Sequence, residues 1–256
     1  MSASTLQGLS LILTRPEGQS TPLKTRLEED GARVVLVPTI KIVARVPRCK
    51  ESELLPRLSE YNLVIFISAN AAAYACAYLR QQRLTWPASL RVAAVGEATR
   101  RALIAQDIPV VLVPATRYDT EALLEMPSLT QVNGQSILVV RGVGGRELLA
   151  QTLRARGAQV DYWETYQRQR PDPDEFRTAL ARSMPTDLVI CTSVEGIQNL
   201  VDLAAEYRTP LLATPLLVVG QRQQHAARTL GFISAVFKAE RASDEALWSA
   251  VVAWRS

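Results

Sequence analysis

The stretch LVIFISAN occupies residues 63–70, and LVICTSVE occupies residues 188–195. In both, a continuous apolar run ends at a serine, Ser68 or Ser193, and a helix-like segment follows. A short, β-branched apolar run of this kind reads as a strand buried on both faces. The repetition extends outward. LILTRPEGQSTPLKTRLEEDGARV (11–34) overlays ILVVRGVGGRELLAQTLRARGAQV (137–160), with Arg15 on Arg141, Leu23 on Leu149, Leu27 on Leu153 and Gly31-Ala32 on Gly157-Ala158. VAAVGEATRRA (92–102) overlays LLVVGQRQQHA (216–226), with Gly96 on Gly220, and YDTEALL (118–124) overlays ASDEALW (242–248). The blocks keep one order and nearly one spacing. The period is too long for a solenoid, whose units run ~20–50 residues. It predicts two similar domains derived from one unit. The duplication alone places the division near residue 130.

Each unit reads strand, helix, strand, helix. Segment 10–14 is an apolar strand. Segment 18–30 carries Leu23 and Leu27 at helical spacing, and Gly31 is a natural stop. Segment 33–37 is the next strand, closed by Pro38. Segments 62–67, 91–95, 136–140, 187–191 and 216–219 are short and apolar, as parallel strands covered on both faces are. Strands alternating with helices predict an α/β fold with a parallel sheet.

A chain of 256 residues suits about two domains at ~150 residues each. Its apolar fraction of 48% argues against disorder. No apolar run approaches the ~20 residues of a membrane span, and MSASTLQGLSLILTR has no basic leader before its apolar run. Cys49, Cys76 and Cys191 show no C-x-x-C spacing, and His225 is the only histidine. Neither a zinc site nor a disulfide framework is expected, and the compartment read from this is the cytoplasm. The net charge of +4 is scattered and includes no dense basic helix, so an acidic small molecule is the expected partner and nucleic acid is not.

Ligands of open parallel sheets bind beyond the carboxyl ends of the strands. Helices there begin with backbone N–H groups lacking helical partners and with the positive end of the dipole. Thr14, Ser68, Gly96, Arg141, Ser193 and Gly220 fall at that edge in this reading. Ser68 and Ser193 serve equally well as plain N-caps, and both roles use the same helix end. Two such edges facing each other would hold a polyanion.

TRPEG (14–18), the strand-Ser-Ala-Asn phrase at 66–70, AVGEAT (94–99), RGVGGRE (141–147), YWETYQRQRP (162–171) and SDEALWSAV (243–251), in that order, resemble the uroporphyrinogen-III synthase family over nearly the whole chain. The resemblance implies two flavodoxin-like α/β lobes joined by a pair of extended linkers. One lobe would take 1–36 and 172–256 and the other 44–163, with VPTIKIV (37–43) and the segment 164–171 as linkers. It implies hydroxymethylbilane as substrate, a linear tetrapyrrole with acetate and propionate side chains. Its terminal hydroxyl leaves as water, ring D is inverted through a spirocyclic intermediate, and the macrocycle closes. No metal or organic cofactor is implied, nor a membrane. The protein would be a monomer, with transient handover from hydroxymethylbilane synthase as an expected contact.

Within that resemblance, Tyr166 matches the family's linker tyrosine and is the candidate acid for the departing hydroxyl, since a phenol is protonated at neutral pH. Its alternative is a packed aromatic at the lobe junction. Thr99 matches a Gly-x-x-Thr position suited to a substrate carboxylate, or to capping. Its duplicate, Gln223, departs from the family's hydroxyl, which leaves the N–H groups after Gly220, starting at Gln221, as donors. Ser68, Ala69 and Asn70 match one strand-end loop, and Ser193, Val194 and Gly196 the other, with main-chain contacts expected. Thr14 and Arg15 lie at the first strand's edge. Arg15, Arg141 and Arg146 are each suited to a bidentate carboxylate pair or to a structural salt bridge. His225 reads as an exposed or capping residue.

Two rival functions fit parts of the sequence. RGVGGRE follows a strand and precedes Asp161 at the spacing of a dinucleotide fingerprint, but Glu147 occupies the third glycine position. A two-lobed cytoplasmic binding protein for an anionic small molecule would use the same scaffold without turnover.

Overall fold

The computed structural model describes residues 5–115, 117 and 119–255. Tyr118, which opens the YDTEALL block, and the first four residues of the N-terminal reading lie outside the described residues.

The chain runs β1 (Ser10–Leu13), α1 (Thr21–Glu29), β2 (Arg33–Leu36), β3 (Lys41–Ala44), α2 (Cys49–Leu54), β4 (Leu63–Phe66), α3 (Ala69–Gln81), β5 (Arg91–Ala94), α4 (Glu97–Ile104), α5 (Thr120–Glu125), α6 (Pro127–Thr130) and β6 (Ser136–Gly142). It continues with α7 (Leu148–Ala155), β7 (Gln159–Gln169), α8 (Pro173–Ser183), β8 (Leu188–Ile190), α9 (Val194–Leu203), α10 (Arg208–Leu212), β9 (Leu216–Val219), α11 (Gln221–Thr229), β10 (Val236–Ala239) and α12 (Asp244–Arg255). Short 3-10 turns lie at Leu55–Glu60 and Ala205–Tyr207. Among the described residues no helix is long and apolar enough to cross a membrane.

Two compact units result, Met1–Ile42 with Gln169–Ser256, and Val43–Arg168. The first holds a five-stranded sheet in the order β10-β9-β8-β1-β2, the second one in the order β3-β7-β6-β4-β5. The pairs β1–β2, β1–β8, β8–β9 and β9–β10 are parallel, as are β4–β5, β4–β6 and β6–β7. The segment 164–171, read as a polar linker, largely continues β7 as strand.

The sequence repeat and the compact units do not coincide. Ser10 pairs with Arg33, and their duplicates Ser136 and Gln159 pair in the other sheet. Leu11 pairs with Leu188, and the duplicate pair is Leu63 with Ile137. Val189 pairs with Leu216 as Val64 pairs with Val92. The register is therefore the same in both sheets. But β1, from the first repeat, carries β2 with it and pairs with β8 of the second, while β6 and β7, from the second, lie beside β4 and β3 of the first. Each sheet is assembled from halves of both repeats.

Alternation places strand side chains on two faces. In the first unit Ile12, Val189, Leu216 and Val218 pack with Phe176, Ile197 and Leu200 on one face. Leu11, Leu13, Leu188, Ile190 and Leu217 pack with Leu23, Leu27, Leu247 and Val251 on the other. Covering by helices on both faces is why these strands read as unbroken apolar runs. In the second unit Leu63, Ile65, Ile137 and Val139 pack with Leu123, Leu149 and Leu153.

Helix ends follow local chemistry. Gly31 at φ 95° and Gly157 at φ 87° close α1 and α7 with the same pair of bonds. The Gly31 and Ala32 N–H groups donate to Glu28 and Leu27 oxygens, and those of Gly157 and Ala158 to Arg154 and Leu153 oxygens. This motif needs a left-handed residue after the cap, which glycine supplies without a Cβ clash.

Candidate functional site

In the second unit the carboxyl edge of β4, β5 and β6 gathers Ser68, Ala69, Asn70, Gly96, Thr99, Arg141 and Tyr166. Ser68 is the N-cap of α3, in extended backbone, and its Oγ accepts the Ala71 N–H at 3.0 Å. Ala69 and Asn70 begin the helix, where N–H groups point out of its amino end. Gly96 caps α4 in extended backbone, which any residue adopts, and Thr99 lies buried in that helix's first turn.

Arg141 does not present its guanidinium to the edge. Its side chain is 4% exposed. Nε donates to the Gly142 carbonyl, one terminal nitrogen to the Gly144 carbonyl and the other to Glu147 Oε1 at 2.9 Å. The cation also lies over the Tyr162 ring. Glu147 takes a hydrogen bond from the Tyr162 hydroxyl as well. That bond and Arg141 hold the Glu147 carboxyl below the usual carboxylate range, while burial and the Glu147 contact raise the Tyr162 phenol. The glycine-rich turn of RGVGGRE thus wraps its own arginine. Gly145, at φ 103°, would place a Cβ 3.2 Å from an Arg141 nitrogen. A phosphate cradle needs that hollow open, so the geometry removes the dinucleotide reading. Arg146 is 76% exposed and pairs with Glu121 at 3.1 Å. A cavity of about 350 Å³ opens beside this loop, lined by Ile67, Val95, Thr120, Arg141 and Arg146 among others.

Tyr166 lies on β7, where the register against β6 shifts between Arg141 and Gly142. It is 6% exposed. One face of its ring covers Gly142, where a Cβ would sit 2.5 Å from Tyr166 Cζ. The ring stacks with Tyr74 of α3 at a centroid separation of 5.8 Å. Its Oη lies 3.2 Å from Ser68 Oγ.

In the first unit the matching edge holds Thr14, Arg15, Ser193, Val194, Gly196, Gly220 and Gln221. Thr14 is buried, with N–H and hydroxyl both donating to the Ile190 carbonyl. Its own carbonyl accepts from the N–H and hydroxyl of Thr39. Arg15 pairs with Asp244 and with the Ala242 carbonyl, at the start of α12. Ser193 caps α9 and accepts the Gly196 N–H at 2.9 Å, and Val194 is the first residue of that helix. Gly196 is a packing glycine. A Cβ there would meet Cys191 Sγ and Ser193 Oγ at 2.9 Å and Thr39 Oγ1 at 3.0 Å. Gly220 caps α11 at φ 87°, a conformation that favours glycine, and Gln221 is exposed at the first helical position. His225 is exposed on the same helix.

The serines, glycines and Tyr166 therefore occupy strand ends and helix starts, whereas the Arg15 and Arg141 side chains are committed to protein partners. Reading the sequence missed Tyr74, Gly142 and Asp244. Tyr74 carries no signal, because an aromatic inside an alanine-rich helix reads as ordinary packing. Asp244 lies within the repeated D-E-A-L block, and Gly142 lies within RGVGGRE, where no local pattern marks it as the floor under an aromatic ring.

A family model described as "Uroporphyrinogen-III synthase HemD" matches residues 21–249. The uroporphyrinogen-III synthase of Salmonella typhimurium is 36% identical over 248 residues, covering 95% of this chain and 100% of that protein. That of Escherichia coli is 34% identical over 246 residues, covering 95% and 100%. Among solved structures, the Helicobacter pylori uroporphyrinogen-III synthetase matches with a TM-score of 0.61 at 12% identity, covering 96% of this chain and 99% of that one. A mutant Thermus thermophilus uroporphyrinogen III synthase matches at 0.59 and 20% identity, covering 97% and 98%. At those identities the structures speak to the fold.

Proposed function

The chain belongs to the uroporphyrinogen-III synthase family, and we propose that it closes hydroxymethylbilane to uroporphyrinogen III, with loss of water and inversion of ring D. The observation that carries this reading is the similarity to two enzymes of that name along their whole lengths.

The substrate is a flexible polyanion that closes spontaneously without inversion. The enzyme must hold it so that the inverted closure is faster. Fixed orientation supplies several kcal/mol of such selectivity without a potent catalytic group. The starts of α3, α4, α9 and α11 offer main-chain donors for acetate and propionate groups. Ser68, Ala69, Asn70, Gly96 and Thr99 would serve in the second unit, and Ser193, Val194, Gly220 and Gln221 in the first, whereas Thr14 and Gly196, whose N–H groups already donate to Ile190 and Ser193, would hold that edge in shape. Arg15 would shape its edge by tying it to the start of α12, and Arg141 by ordering its own loop.

Tyr166 is the proposed acid. The bond from the terminal carbon to oxygen breaks with its electron pair on oxygen, and the phenol proton completes a water molecule. The pyrrole nitrogen lone pair stabilises the cation left on carbon. Attack by the substituted α-carbon of ring D gives the spiro intermediate. Its fragmentation and re-closure at the free α-carbon release a proton that restores the phenol. Nothing in this sequence of steps calls for a metal or an organic cofactor. The protein would work as a cytoplasmic monomer that receives its unstable substrate from hydroxymethylbilane synthase.

The test is to supply hydroxymethylbilane and follow its disappearance with and without the protein. Acceleration that falls, but not to zero, in Tyr166→Phe supports the reading. A folded protein that binds the substrate and leaves its closure rate unchanged would overturn it.

A further inference from the structure

The bond between Ser68 and Tyr166 has a direction, and the direction decides whether the phenol can donate. Ser68 Oγ accepts the Ala71 N–H at 3.0 Å and lies 3.2 Å from Tyr166 Oη. If Tyr166 donates to Ser68, its proton is occupied. If Ser68 donates to Tyr166, the phenolic proton is left to point elsewhere. The amino end of α3, a helix of 13 residues, favours the second arrangement. Its positive end draws the serine oxygen inward and turns the hydroxyl hydrogen away. A hydroxyl that already accepts a hydrogen bond is also a stronger donor. Gly142 under one part of the ring and Tyr74 stacked against it restrain the alignment. The duplicate serine, Ser193, caps α9 through Gly196, and among the described residues no tyrosine hydrogen-bonds to it. The pairing with a phenol belongs to one repeat only.

We propose that Ser68 is a positioning residue for Tyr166: its hydroxyl donates to Tyr166 Oη, frees the phenolic proton for the departing substrate hydroxyl, and stabilises the phenolate that remains. The inference rests on the reading of Tyr166 as the acid. Proton count is unchanged by it. Ser68 keeps its own proton throughout, and Tyr166 loses one at water departure and regains one at ring closure.

The test compares initial rates of hydroxymethylbilane consumption for the wild type, Ser68→Ala, Ser68→Thr, Tyr166→Phe and the Ser68→Ala/Tyr166→Phe double variant, each checked for folding by circular dichroism. Ser68→Ala should slow the reaction on the order of tenfold, as loss of one hydrogen bond to a developing charge does. Ser68→Thr, which keeps both the hydroxyl and the cap, should recover most of the rate. The double variant should be no slower than Tyr166→Phe. Were Ser68→Ala unfolded, Ser68→Gly would replace it, since glycine at an N-cap costs only a few tenths of a kcal/mol. A wild-type rate in the hydroxyl-free variant, or an equal slowing on the Tyr166→Phe background, would overturn the inference while leaving Tyr166 in place. A wild-type rate in Tyr166→Phe would instead remove the acid, and the role of Ser68 with it.

Discussion

Gly142→Ala tests whether the position of the Tyr166 ring matters. The new Cβ would lie 2.5 Å from Tyr166 Cζ, 2.7 Å from Cε2 and 3.0 Å from Cε1. Carbon atoms not bonded to each other settle at ~3.5–4.0 Å, so the ring must retreat by about 1 Å. The stacked Tyr74 restricts where it can go. Overpacking of this kind costs about 1–3 kcal/mol. For a chain of this size that corresponds to a fall in melting temperature of roughly 3–10 °C. A displacement of 1 Å also takes Tyr166 Oη out of the 3.2 Å contact with Ser68. Misplacement on that scale can slow catalysis on the order of a hundredfold. Thermal denaturation and the rate of hydroxymethylbilane consumption read the two effects separately. The second substitution Tyr166→Ala, which removes the ring, should cancel most of the destabilisation that Gly142→Ala causes. A Gly142→Ala protein with wild-type melting temperature and rate would refute the reasoning. A loss of stability equally large in the Tyr166→Ala background would show that the ring is not what the methyl meets.

Three other outcomes are expected. Gly220→Ala, forced to φ 87° at the start of α11, should lose about 1–2 kcal/mol in urea denaturation, and an unchanged midpoint would contradict the backbone assignment. Burial and the 2.9 Å bond to Asp161 raise the Tyr61 phenol above its ordinary ~10, so its stabilising contribution is full below that pH and is lost as pH rises toward the folded value. Tyr61→Phe should therefore be the less alkali-sensitive protein between pH ~8 and ~11, and parallel urea midpoints across that range would be against it. Fragments divided in the 131–135 loop between α6 and β6 should be unfolded alone and regain circular dichroism on mixing, because each sheet takes strands from both fragments. A fragment that folds by itself would contradict the shared sheets.

Much of the fold was written in the sequence because local physics and long-range packing agree there. Apolar runs such as LVIF mark strands that helices cover on both faces. Gly31 and Gly157 end their helices through backbone conformation, which a local stretch encodes. The duplication gave the register of both sheets in outline, since duplicate residues make duplicate pairs. It pointed to the wrong place for a division. Nothing in two similar stretches of chain says whether β1 pairs with strands of its own repeat or with those of the other. The site was legible where main-chain geometry makes it. Ser68 and Ser193 cap their helices as serines after strands commonly do. It was least legible where side chains choose among partners. Arg141 looked available for a substrate carboxylate, yet its guanidinium is taken up by two carbonyls and the Glu147 carboxylate of its own loop. Arg15 is satisfied by Asp244, far along the chain, and only the folded sheet brings the two together.

The most direct measurement of the central claim is the isomer distribution. Hydroxymethylbilane would be generated in situ with the purified protein present, the products oxidised, and the uroporphyrins separated by chromatography. Isomer III should be the dominant product, with isomer I rising as the protein is diluted out. Isomer I alone, in the presence of a folded protein, would contradict it.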